Sequence, residues 1–114
     1  MASEPATSSS VELTLHKAGL ATDGSGAIEW WDELTELQAV DHRKLGENVV
    51  VRGPDKRKNK QKAKQIEAQV GKWKVHPPHA RPGNLALPHF QQDSGSPKGH
   101  TFYEVDTRKA RKKT

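Results

Sequence analysis

Apolar residues recur at a readable period in a few stretches of the chain. Across residues 28–45, Ile28, Trp31, Leu34, Leu37 and, slightly off the stripe, Val40 stand three apart, which predicts an amphipathic helix closed by Gly46. Asp23 or Ser25 can cap its start, and Glu29, Asp32 and Glu33 crowd the first turns, where the helix dipole favours acids. Asn48–Arg52 reads NVVVR, a run of three β-branched residues halted by Gly53-Pro54, and predicts a buried strand. Residues 55–70 predict a second helix, almost wholly polar. Its narrow contact stripe is Ala63, Ile66 and Val70, and Gly71 supplies the C-cap.

Between and beyond these stretches the pattern is looser. VELTLHKAGL, from Val11, alternates in a way that suits a short strand or a poor helix, and ATDGSG is a turn by composition. Residues 72–76 place Trp73 and Val75 on one face and Lys72, Lys74 and His76 on the other, a half-buried strand with its bases outward. Three prolines and a glycine make residues 77–84 a loop. Residues 85–90 predict a short edge strand containing Pro88, and QQDSGSPKG a second loop. Residues 99–106 predict the last strand, with His100, Phe102 and Glu104 on one face and Thr101, Tyr103 and Val105 on the other.

The expected order is helix, strand, helix, then three strands. That is a small single-domain α+β fold with an N-terminal helix and a mostly antiparallel sheet. The expected segments are a disordered stretch over 1–10, an acidic helical segment over 11–47, a basic α+β core over 48–106 and a frayed basic tail over 107–114.

Composition narrows the choices. Hydrophobic residues make up 32% of the 114 and charged residues 29%, so the core must be small. Cysteine is absent, which removes disulfides and thiolate zinc sites. No run approaches the roughly 18 apolar residues of a membrane span, and residues 1–10 lack the basic and apolar stretches of a secretory signal. Charge is distributed unevenly. Residues 1–47 hold nine acids against three bases, a balance of −6, whereas residues 48–114 hold sixteen bases against five acids, a balance of +11. The basic part is suited to a polyanion, with nucleic acid, RNA above all, as the favoured partner.

Four of the six histidines, His76, His79, His89 and His100, lie within 25 positions. If residues 85–90 and 99–106 pair as a hairpin, His89 and His100 come close to opposite each other, with Lys98 beside them. Metal-free RNA cleavage needs a base for the 2′-hydroxyl, an acid for the leaving 5′ oxygen and a cation for the phosphate. The catalytic candidates are therefore His89, His100 and Lys98, with Arg81, Thr101 and Tyr103 around the phosphate. Imidazoles roughly 5 to 8 Å apart would flank one phosphate. Two other readings of the histidines stay open: surface residues with no chemistry, or an H-x₂-H pair at His76 and His79 that His89 or His100 completes around zinc. The site expected here needs no metal and no cofactor.

In the second helix Lys56, Arg57, Lys58, Lys60, Lys62 and Lys64 have few acids to pair with, so they are candidate phosphate contacts together with Lys72 and Lys74. Trp30, Trp31 and Trp73 are expected in the core rather than stacked on bases. The chain lacks G-x-S-x-G, a P-loop, a dinucleotide fingerprint and a carboxylate cluster for two-metal cleavage.

HPPHARPGNLALPHF followed by GHTFYEV resembles, over residues 48–106, the C-terminal nuclease domains of bacterial polymorphic toxins, including contact-dependent inhibition and Rhs-type effectors. The resemblance implies a histidine-dependent ribonuclease with a helix followed by a twisted antiparallel sheet, as in the barnase-like and EndoU-like group. It also implies export as part of a larger effector, a cytoplasmic site of action and an acidic immunity protein over the site. The chain departs from the barnase pattern in lacking a catalytic glutamate with a following arginine. The competing expectation is a non-enzymatic nucleic-acid-binding or ribosome-associated protein. A third is an interaction module that docks a partner through the WWDELTEL segment.

Overall fold

The structure, a computed structural model, describes residues 13–76 and 87–113. The expected disordered stretch over 1–10 and the whole proline-rich loop over 77–84, with His79 and Arg81, lie outside the described residues. Two strands, β1 (Thr14–Leu20) and β2 (Ile28–Leu34), come first, followed by helix α1 (Glu36–Lys44), strand β3 (Asn48–Arg52) and helix α2 (Lys56–Val70). Strands β4 (Trp73–His76), β5 (His89–Gln92), β6 (Thr101–Tyr103) and β7 (Arg111–Lys112) complete the fold. They form one seven-stranded sheet in the order β4-β5-β6-β3-β1-β2-β7.

The fold is a small α+β domain, as expected, but it starts with strands. The apolar residues that stand three apart over 28–45 span two elements. Thr35 divides them: its hydroxyl accepts from Gln38 N at 3.1 Å and its N–H donates to Gln38 Oε1 at 2.9 Å, a capping box that starts α1 at Glu36. Residues 28–34 instead pair antiparallel with β1 through a turn in which Asp23 Oδ1 accepts from Ser25 N at 3.0 Å and Ser25 Oγ at 2.6 Å. Asp23 and Ser25 thus close a hairpin rather than cap a helix. The sheet is mixed, because β3 runs parallel to β6 and β2 parallel to β7. Residues 14–47 are integral to it, β1 lying between β2 and β3. The expected tail is also recruited, its Arg111 bonding Asp23 at 2.5 Å and lying 3.5 Å from Glu29.

Both helices cover one face of the sheet. There Ala39, Val40, Ala63 and Ile66 pack on Leu15, Val49, Val51, Phe90 and Tyr103. Helix α2 starts one residue later than expected, because Asp55 is its N-cap, and ends as expected at Val70 with Gly71 as C-cap. The other face carries a smaller cluster of Ala18, Ile28, Val50, Leu87, Phe102 and Ala110. Strand alternation about β6 is as read from the sequence, Phe102 on the helix-free side and Tyr103 beneath the helices.

A buried ion pair ties the layers together. Arg43 of α1 and Glu67 of α2 are both fully buried and meet through two bonds, Nε to Oε2 at 2.6 Å and Nη2 to Oε1 at 3.1 Å. The carboxylate also accepts from Gln92 Nε2 at 2.8 Å and Thr101 Oγ1 at 2.5 Å. The remaining guanidinium nitrogen donates to Lys98 O at 2.7 Å and Glu47 O at 3.1 Å. One charge pair thereby joins α1, α2, β5, β6 and the loop before His100. Breaking a buried pair strands a charge in a dry interior, at a cost of about 3–5 kcal/mol. Urea unfolding of Glu67→Gln and of Arg43→Met should each show a loss of that size. The double variant Arg43→Met/Glu67→Leu should lose less than the sum of the two charge-removing single changes, Arg43→Met and Glu67→Leu, by at least about 1 kcal/mol.

Candidate active site

His100 stands immediately before β6, at the end where β6 begins alongside β3. Its N–H donates to Asn48 Oδ1 at 2.8 Å, and its carbonyl accepts from Val49 N at 3.0 Å. Gly99 just ahead has φ +95°, and a Cβ there would come within 2.8 Å of Arg43 Nη1, 2.8 Å of Gly46 O and 2.9 Å of Glu47 O. The buried ion pair and this glycine together fix where His100 begins.

The two histidines singled out from the sequence do converge, by a register two positions from the one expected. His89 pairs with Phe102, not with His100, because β6 starts at Thr101. As alternating residues, His100 and Phe102 share the helix-free side, so His89 reaches His100 diagonally. Their ring centroids are 4.5 Å apart at 61°, and Phe102 contacts both, at 5.3 and 5.4 Å. Rings this close touch each other and leave no room for a phosphate between them. His89 is 0% exposed, whereas His100 is half-buried and lines an open cleft of about 240 Å³. Gln91, Gln92, Pro97 and the exposed Lys98 also line it, and among the described residues no carboxylate does.

Other predicted contacts separate from this cleft. Thr101 is fully buried, with its hydroxyl committed to Glu67, and the Tyr103 ring packs at 5.6 Å from Phe90 under the helices. Neither lies against a phosphate at His100, since odd-numbered residues of β6 point to the helix side. Burial pushes the Tyr103 hydroxyl pKa up. The bases of α2 lie across the sheet from the histidines. Lys56, Arg57, Lys58, Lys60 and Lys64 are exposed, while Lys62 is half-buried and bonds Glu36 at 2.6 Å. That lysine, with Gln69 at 2.8 Å, holds the Glu36 carboxyl below its ordinary range. Lys56 pairs with Asp106 at 3.7 Å, and Lys64 lies 5.2 Å from the Trp73 ring. Lys72 and Lys74 are exposed, and Lys74 pairs in register with Gln91 of the cleft.

No group of three or more His, Asp or Glu among the described residues is placed to hold a metal ion. His76 lies opposite His89 in the backbone register.

Sequence reasoning missed a second constellation on the helix-free face. Trp30 is half-buried, with Arg52 Cζ 4.2 Å from its ring centroid, His16 at 4.6 Å and Lys112 Nζ at 5.9 Å. His16 is held on both nitrogens, by Trp31 O at 2.9 Å and Thr14 Oγ1 at 2.8 Å. Trp73, by contrast, is core as expected, edge-on to Phe90 at 5.3 Å. The only sequence signal for the Trp30 group was an arginine ending a buried strand, which by itself names no partner.

Comparison with family models, curated proteins and solved structures found no match.

Gly99→Ala tests how the cleft is positioned. The added methyl collides with backbone carbonyls at a left-handed φ, so unfolding free energy should fall by about 2 kcal/mol or more. The His100 and Lys98 amide resonances should move with it, and a variant as stable as wild type with an unchanged spectrum would contradict the geometry.

Proposed function

We propose that this chain is a metal-independent ribonuclease in which His100 faces the substrate. The observation that carries this reading is the contact between His89 and His100 beside an open cleft that also holds Lys98. On this reading His100 takes the proton of the 2′-hydroxyl as that oxygen attacks phosphorus. The bond to the 5′ oxygen breaks, and that oxygen takes a proton from water. Lys98 meets the charge that gathers on the phosphate. His89, buried behind His100, is a positioning residue: with Phe102 it packs against the His100 ring and fixes its plane. A toxin module delivered to a target cytoplasm, and neutralised by an acidic immunity partner over this cleft, is the biological setting that the sequence resemblance suggests for such an activity.

A second reading is favoured by the separation of the two basic regions. The exposed bases of α2 can hold a phosphate backbone without any strand reaching the cleft, which would make the chain a binder that cuts nothing.

Labelled RNA incubated with the protein in a chelator separates the two. Cleavage that falls by about 10²–10⁴-fold in His100→Ala, with filter retention unchanged, supports the ribonuclease. Intact RNA retained at low salt and released by Arg57→Glu/Lys60→Glu supports the binder.

A further inference from the structure

A second site on the helix-free face stands on different residues. Glu104 is 3% exposed, and its carboxylate is met by three donors: Arg52 Nε at 3.1 Å, Ala110 N at 2.9 Å and Gly53 N at 3.3 Å. The Arg52 guanidinium is thus fixed along one edge by Glu104 and over one face by the Trp30 ring at 4.2 Å. Of its five N–H donors only Nε–H is used, and neither terminal nitrogen makes a hydrogen bond among the described residues. The side chain remains 31% exposed and lines an open cleft of about 370 Å³. Lys109, exposed and in no ion pair among the described residues, lines the same cleft, with Gly53 and Thr14 beside it.

A guanidinium held in plane with its forked end open is pre-organised for a tetrahedral oxyanion, since little side-chain entropy remains to be lost on binding. Glu104 opposes this less than its charge suggests, because two backbone amides and Arg52 already share it. The second cation at Lys109 leaves the three charged groups with a net positive balance.

We propose that Arg52 and Lys109 form a phosphate-binding site, with Glu104 and Trp30 as positioning residues. It does not depend on the ribonuclease reading. Asn48 and Arg52 lie on the same side of β3 and four residues apart, so Arg52 sits about 13 Å along the strand from the Asn48 that anchors His100. A single nucleic-acid strand along this face could therefore be held at Arg52 while a different phosphate reaches the His100 cleft.

The test is a ¹H–¹⁵N titration of the full chain with inorganic phosphate at constant ionic strength, following Arg52 Nε–H and Trp30 Nε1–H. A saturable shift common to both signals is expected. Arg52→Lys should weaken it roughly tenfold or more by removing the fork, and Lys109→Gln should weaken it severalfold. A linear drift that chloride reproduces, or a response untouched by both substitutions, would overturn the site. Should Arg52→Lys disturb the turn at 105–108, visible as a displaced Ala110 amide, the exposed Lys109→Gln change decides alone. His100→Ala should leave the phosphate response intact, so that failure of RNA cleavage and failure of this site are read separately.

Discussion

Two fully buried charges hold the His100 end of the sheet in register. Arg43 and Glu67 come from different helices, and neither could be inside without the other. Their remaining hydrogen-bonding capacity is spent on Gln92, Thr101 and the carbonyls of Glu47 and Lys98, all of which border the segment that carries His100. A hydrophobic pair of similar volume could fill the space, but it would not hold Lys98 and Gly99 against α1. The directional bonds of the pair therefore give the cleft its shape, while the valines and Ile66 supply the burial.

The sheet acts as a partition. On one side the polar α2 presents its bases to solvent. On the other are the imidazole pair and, further along β3, the oriented Arg52. Charge alone would have merged these into one basic groove, whereas strand alternation separates them: residues 49, 51, 101 and 103 go to the helices and residues 48, 50, 52, 100 and 102 to the opposite side. A polyanion lying on the helix-free face meets few cations, but these are held in place by neighbours rather than carried on free side chains.

Much of this was legible in the residues, and the failures have identifiable causes. Helix α2 announces itself through Asp55, Gly71 and the Ala63–Ile66–Val70 stripe, and β3 through its three valines. Strand β2 was mistaken for helix because apolar residues three apart happen to continue across a boundary, although Thr35-x-x-Gln38 marks that boundary. Asn59, Arg43 and Glu67 sit at positions where a stripe should be apolar. Nothing local reveals that a charge there is inside, because its partner is 24 residues away. The meeting of His89 and His100 followed from hairpin logic, while the burial of His89 depends on packing from elsewhere in the chain.

The strand order also has a bearing on how the chain assembles. β3 is flanked by β1, from which β2 and α1 separate it, and by β6, which follows it by some fifty residues and runs parallel to it, so no tight turn links the two. Two of the donors to the Glu67 carboxylate, Gln92 and Thr101, come from the late strands β5 and β6. The full set of bonds around the buried pair and the closure of the sheet at β6 therefore require each other.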